Sequence, residues 1–314
     1  MNRQTICLST ILWSLILILP TCAPSVTQQP GVTASIVLAV TPTSLLLTPT
    51  PASTSTAGPS PTTALMTPTP ADGWTSQSPN GKWSAQGMME GPFLADDGSE
   101  KYHTRLEVIN SDSTVTWTLV DQTSNYGLGY TTPRPFHWSR DGRYLYFTNQ
   151  AVPDGCAVFA NGSDLYRADL SDGQITEIVP PWVWWISLSP DEQTAVYIRW
   201  NGQALELVAR DIASGSERQT KLEGKYTQAG NIVWSPDGQA LMLVLAAHPC
   251  DPANWVQSIA RVDLATLAPI LLVREDKRLF SIAEWPEMDQ VLLVDEEKNS
   301  WTMNAVTGDL EKGP

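Results

Sequence analysis

The chain is short of the groups that most catalysis needs. Three histidines in 314 residues, His103, His137 and His248, leave few ways to build a metal centre or a histidine-based triad. No G-x-S-x-G elbow, H-E-x-x-H pair or glycine-rich phosphate loop occurs. Positive charge is scarce too: 19 Lys and Arg face 33 Asp and Glu, a net charge of -14. Such a surface repels phosphate backbones and anionic headgroups, so nucleic acid is excluded as a partner. The acidity does not read as calcium binding, because no D-x-D-x-D-G run exists. No metal and no cofactor is expected. No stretch shows sustained helical spacing of apolar residues with caps, so the domain is expected to be nearly all β.

What is present is a repeated hairpin. In Asn231–Val244 an apolar strand leads into Ser235-Pro236-Asp237-Gly238, and a second apolar strand leads out. Pro236 presets φ, Asp237 can bond its own backbone, and Gly238 tolerates positive φ. Trp138-Ser139-Arg140-Asp141-Gly142 repeats the order, as does Leu188-Ser189-Pro190-Asp191-Glu192, with Glu192 in place of Gly. Looser copies start at Ser78 and Trp285. Counted from positions 78, 139, 189, 235 and 286, the spacings are 61, 50, 46 and 51 residues. Periods near 40–50 residues with turn signals mark propeller blades. Each unit has a second half, as in Leu165-Tyr166-Arg167-Ala168-Asp169, which alternates and then turns. The carboxylates of Asp141, Asp191 and Asp237 are read as turn residues, and Trp138, Trp234 and Trp285 as packing between blades.

This order of parts resembles the WD40-like repeat of bacterial TolB-type propellers: W-S-P-D-G, an apolar strand, then a V-x-D-x-x-x-G turn. The resemblance covers roughly residues 74–314 and is clearest in Trp234–Gly238. It implies an all-β fold, a β-propeller of five visible four-stranded blades spanning 73–314. TolB proteins carry an α/β domain before the propeller; here a linker takes its place. The likeness therefore implies architecture and not activity.

The N-terminus is expected to be an address. Asn2-Arg3 precede an apolar run from Leu8 to Leu19, too short to span a bilayer and typical of an export signal. Leu19-Pro20-Thr21-Cys22 resembles a bacterial lipobox, so residues 1–22 are read as a lipoprotein-type signal and Cys22 as the lipidated residue. The chain is then extracytoplasmic and held to the membrane through an N-terminal lipid; cleavage elsewhere and secretion is the alternative. Residues 23–72 hold 12 Thr and 9 Pro and no charge before Asp72. Such a segment is expected to be a disordered linker, with an extended reach on the order of 150 Å.

With Cys7 in the signal and Cys22 lipidated, Cys156 and Cys250 remain. Both fall between the second and third strands of their units, on loops that emerge at one face. A disulfide across that face is one expectation; two separate thiols is the other.

That loop-rich face is also the candidate binding face. It receives Tyr126, Tyr130, Arg134, Trp182, Trp184, Asn231 and Trp255, while the opposite face of S-P-D-G turns is expected to be structural alone. In Pro180-Pro181-Trp182-Val183-Trp184-Trp185 the tryptophans form either a stacking platform or a channel filling. The function expected is a monomeric, non-enzymatic binding or scaffold module for an unidentified protein, peptide or glycan. A carbohydrate-active hydrolase or lyase is the alternative, and it needs two carboxylates about 5–10 Å apart in a pocket. How the ring closes is open: residues Ala64–Met66, an open edge and a dimer contact all qualify.

Overall fold

Each S-P-D-G segment spends its serine and aspartate on its own backbone, which makes the hairpin form there. Ser235 Oγ donates to Asp237 Oδ1 and accepts the Ala240 N–H, while Asp237 Oδ1 accepts the Gln239 N–H. Ser139 with Asp141 and Ser189 with Asp191 repeat the arrangement. Gly142 and Gly238 take φ of 68° and 69°, the left-handed region that favours glycine.

A computed structural model describes residues 72–127, 131–151 and 155–313. The expected signal segment, Cys22, the linker up to residue 71 and Tyr130 lie outside them. Blade 1 comprises β1 (Asp72–Gln77), β2 (Trp83–Leu94), β3 (Glu100–Asn110) and β4 (Thr116–Asn125). Blade 2 comprises β5 (Thr131–Trp138), β6 (Tyr144–Ala151), β7 (Leu165–Asp169) and β8 (Ile175–Val179). Blade 3 follows with β9 (Val183–Leu188), β10 (Thr194–Trp200), β11 (Leu205–Asp211) and β12 (Glu217–Lys221). Blade 4 holds β13 (Gln228–Trp234), β14 (Ala240–Ala247), β15 (Val256–Asp263) and β16 (Pro269–Asp276). Blade 5 ends the chain with β17 (Ser281–Glu287), β18 (Gln290–Val294), β19 (Ser300–Asn304) and β20 (Leu310–Lys312). Every blade is an antiparallel meander of consecutive strands, and no helix occurs among the described residues. The all-β, five-bladed propeller read from the repeats is the fold.

Blades pack face to face in chain order. Leu106 and Val108 meet Leu145 and Phe147 between blades 1 and 2, and Ile178 meets Val183 and Tyr197 between 2 and 3. Ile198 and Leu207 meet Leu241 and Leu243 between 3 and 4; Met242 and Val244 meet Ile282 and Val291 between 4 and 5. Burial on both sides demands a continuous apolar run, and all eight residues of β14 (ALMLVLAA) are buried. Terminal blades read differently. In β3 burial alternates, and the less buried side carries Lys101, His103, Arg105 and Glu107. Arg105 pairs with Glu107 at 2.6 Å and His103 with Asp121 at 2.7 Å. In β18 burial alternates as well.

Two of the repeated tryptophans tie their blade to the one before. Trp138 Nε1 donates to Ser76 Oγ at 2.8 Å, and Trp234 Nε1 to Ser187 Oγ at 2.9 Å. Each serine lies two residues before its own turn serine. In blade 4 that position is Val233, and the buried Trp285 Nε1 has no hydrogen-bond partner.

Candidate functional site

At the loop-rich face, one segment of blade 2 roofs the centre. Cys156 and Cys250 are joined by a disulfide, their Cα atoms 5.2 Å apart. Gln228 Nε2 donates to the Cys156 carbonyl, and the Val158 N–H donates to Gln228 Oε1, both at 2.7 Å. Asn161 pairs its amide with the carbonyl and N–H of Ile186 at 2.7 and 2.8 Å, in the manner of an added strand residue. Phe159, 5% exposed, stands edge-on to Trp185 with ring centroids 6.3 Å apart. It rests on Gly230, where a Cβ would meet the Phe159 Cβ at 2.5 Å. Only glycine leaves room for that ring.

This roof redistributes the expected binding face. Asn231 is not presented to a ligand: its amide is spent on the backbone of Ile282, stitching blade 4 to blade 5. Trp255 is half-buried against the core between blades 4 and 5, and its Nε1 is buried without a hydrogen-bond partner. Arg134 is exposed and lies over the Trp74 ring at 5.2 Å. Tyr126 is half-exposed beside the strand end of blade 1. The Pro-Pro-Trp segment divides its roles. Trp185 fills the channel, whereas Trp182 is 87% exposed and Trp184 41%. Trp200, not foreseen from the sequence, is 51% exposed at the same end of blade 3, since Arg199 pairs with Val183. Its strand alternation gave no hint, because the strand simply outruns its covering neighbours. Trp182 also holds a φ of 75°, a left-handed conformation that bulky side chains disfavour.

The turn face, expected to be structural alone, holds the larger cavity. About 430 Å³ opens between the inner strands β5, β9 and β13. Phe136, Trp185, Leu188 and Ile232 form walls, and His137, Arg140 and Glu192 sit at the turn end. Glu192 Oε1 accepts the Arg140 N–H at 3.0 Å and lies 3.1 Å from His137 Nε2. A second cavity of about 270 Å³ lies between blades 1 and 2, beside Asp121, Asn149 and Tyr166.

Neither cavity suits acid–base chemistry on a glycoside. Glu192 is the one carboxylate lining the first and Asp121 the one lining the second. Two carboxylates do come together at Arg199, which donates to Glu206 at 3.1 Å and Glu217 at 3.2 Å. Burial pushes Glu217 up, but hydrogen bonds from Tyr197 and Arg210 leave it below the usual range. Both carboxylates are spent on the one arginine, an ion-pair arrangement rather than an acid and a base facing a pocket. The turn aspartates are held below the usual range as well, Asp141 first by the Arg143 N–H, Asp191 by the Ser189 hydroxyl and Asp237 by that of Ser235. No group of His, Cys, Asp and Glu among the described residues is arranged to hold a metal.

No protein-family model and no curated protein matches the chain. Solved structures that resemble it include TolB from Acinetobacter baumannii, at 17% identity and a TM-score of 0.38. The match covers 76% of this chain and 53% of TolB, so the chain spans about half of that protein. The β-propeller domain of the Trilobed protease from Pyrococcus furiosus aligns at 12% identity and a TM-score of 0.45, over 76% of this chain and 71% of that one. Dipeptidyl peptidase 4 from Porphyromonas gingivalis aligns at 11% and 0.47, over 76% of this chain and 39% of the other. Structural neighbours thus include both TolB and peptidase propellers, and the fold assignment rests on the sheet topology itself.

Proposed function

We propose that this protein is an extracytoplasmic, non-enzymatic binding module that engages a protein, peptide or glycan through exposed tryptophans of blade 3. One observation carries the reading: Trp182, Trp184 and Trp200 stand in solvent at one end of a blade whose face is braced by a disulfide. Large aromatic rings left in water on a rigid scaffold mark interaction sites. Covering one such ring contributes on the order of 4 kcal/mol before ordering costs. Trp182 adds a strained backbone, a feature that clusters at ligand contacts.

Tethering through Cys22 completes the proposal, with residues 23–71 as the stalk between lipid and propeller. Two experiments test it with the full chain. Capture from intact envelopes, run beside a glycan array, is expected to return a ligand whose binding falls at least about tenfold in a Trp182→Ala, Trp184→Ala, Trp200→Ala variant. Binding that survives all three changes refutes the site. Cys22→Ser is expected to release the chain from membranes and abolish fatty-acid labelling; continued labelling refutes the anchor.

A further inference from the structure

The turn of blade 3 departs from its repeats at one position. Gly81, Gly142 and Gly238 occupy φ of 66°, 68° and 69°, and Glu192 takes the matching place at 60°. A glutamate there accepts a conformation that side chains disfavour. Its carboxylate leaves its own turn and crosses to blade 2, where Oε1 takes the Arg140 N–H and faces His137 Nε2. Oε2 accepts no hydrogen bond from the described residues. The Arg140 guanidinium is exposed and forms no ion pair within hydrogen-bonding distance among them; it acts on the nearby Asp191 only through space, since that carboxylate is hydrogen-bonded to Ser189 and Gln193.

Behind this pair of opposite charges lies the cavity of about 430 Å³. Its remaining polar groups are already used. The Asn161 amide is tied to Ile186, the Ser187 hydroxyl accepts from Trp234, and the Ser189 hydroxyl donates to Asp191. The roof segment around Phe159 and Asn161 crosses the far end. What remains is a cavity with apolar walls at Phe136, Trp185, Leu188 and Ile232, with the Glu192 carboxylate and the Arg140 guanidinium at its turn end.

We propose that this chamber binds a small zwitterion, an apolar α-amino acid. Its ammonium pairs with Glu192 Oε2 and its carboxylate with Arg140, while its side chain lies between Phe136, Trp185 and Ile232. Charge selects this class. A bare carboxylate leaves Glu192 without a partner and a bare amine leaves Arg140 without one; a zwitterion pairs with both at once. His137 is a positioning residue that holds Oε1 so that Oε2 points outward.

Titration calorimetry on the full chain tests this with L-phenylalanine, L-leucine and L-tryptophan up to about 10 mM, where a millimolar site saturates. At least one is expected to bind, and N-acetyl-L-phenylalanine, L-phenylalaninamide and glycine are each expected to bind at least about tenfold more weakly than the best of them. Glu192→Gly restores the residue of blades 1, 2 and 4, so it is expected to keep or raise the melting temperature while losing at least about tenfold in affinity. Arg140→Gln, whose side chain holds no part of the fold, is expected to lose as much. No binding by any of the three amino acids, or equal binding by the blocked analogues, overturns the proposal. So does a Glu192→Gly variant that melts lower yet binds normally, since Glu192 is then an interblade clamp alone. Should Glu192→Gly lose both stability and affinity, Arg140→Gln decides: unchanged affinity there overturns the proposal, lost affinity supports it.

Discussion

Removing the Cys156–Cys250 bridge, with serine at both positions, isolates what the roof contributes. The bridge closes a loop between residues 94 apart in sequence and ties blade 2 to blade 4. Loop-closure entropy for that length comes to about 4.7 kcal/mol, a ceiling that real bridges seldom reach. Little packing is lost alongside, because Cys250 is exposed and Cys156 only half-buried. Hydrogen bonds from Gln228 and Asn161 stay in place and hold the loop once folded. The expected loss is therefore about 2–4.5 kcal/mol, which for a domain of this size lowers the melting temperature by roughly 5–15 °C. Urea unfolding followed by tryptophan fluorescence measures it, with a steeper denaturant dependence as the unfolded chain expands. A change below about 1 kcal/mol, or free thiols titrating in the purified native protein, refutes the reasoning.

Ser187→Ala is expected to cost about 1–2 kcal/mol by orphaning Trp234 Nε1, measured by the same urea titration. Stability within about 0.3 kcal/mol of the parent would remove the Trp–Ser tie from the account. Acid stability depends on carboxyls held down to about 2, Asp169 first by its Arg143 hydrogen bond. Asp295 is also at about 2: burial pushes it up, and hydrogen bonds from Asn299 and Trp301 more than reverse that. Depressed carboxyls add stability that is full above the ordinary value of 3.8 and fades as pH falls through about 2. Urea midpoints are expected to drop between pH 4 and 2, less steeply in Asp295→Asn; an unchanged slope counts against this assignment.

Much of the fold was legible because its signals are local. Ser235 and Asp237 close their own turn, so the tetrapeptide reports a hairpin wherever it stands. The run ALMLVLAA of β14 and the alternation of β3 report double and single burial just as directly. The site was less legible, because its decisive contacts join distant segments. Asn231 reads as a loop-face polar residue, yet its amide is consumed 51 residues away by Ile282. Phe159 sits in an unremarkable loop and seals the centre only because residue 230 is glycine. Glu192 announces itself by replacing a turn glycine, but its destination, Arg140 of the preceding blade, appears only when the sheets are assembled.

The same separation explains why the closure of the ring was unreadable. A swapped strand would place one terminus in the sheet of the other; among the described residues all five blades consist of four consecutive strands, and Ala64–Met66 lies outside them. The buried clusters join 1 to 2, 2 to 3, 3 to 4 and 4 to 5. On its less buried side, β3 of blade 1 carries Arg105 paired with Glu107 and His103 hydrogen-bonded to Asp121. Cross-ties are found instead at the roof: Asn161 binds blade 2 to 3, the disulfide spans 2 to 4, and Asn231 binds 4 to 5. These ties link the blades directly at that face. They run along blades 2 to 5, where the exposed tryptophans and the zwitterion chamber also lie. Blade 1 is tied to blade 2 as firmly, by packing and by hydrogen bonds from Trp138 to Ser76, Asn80 to the Asp141 carbonyl and Trp117 to the Leu170 carbonyl, and between the Tyr102 hydroxyl and the Thr131 backbone.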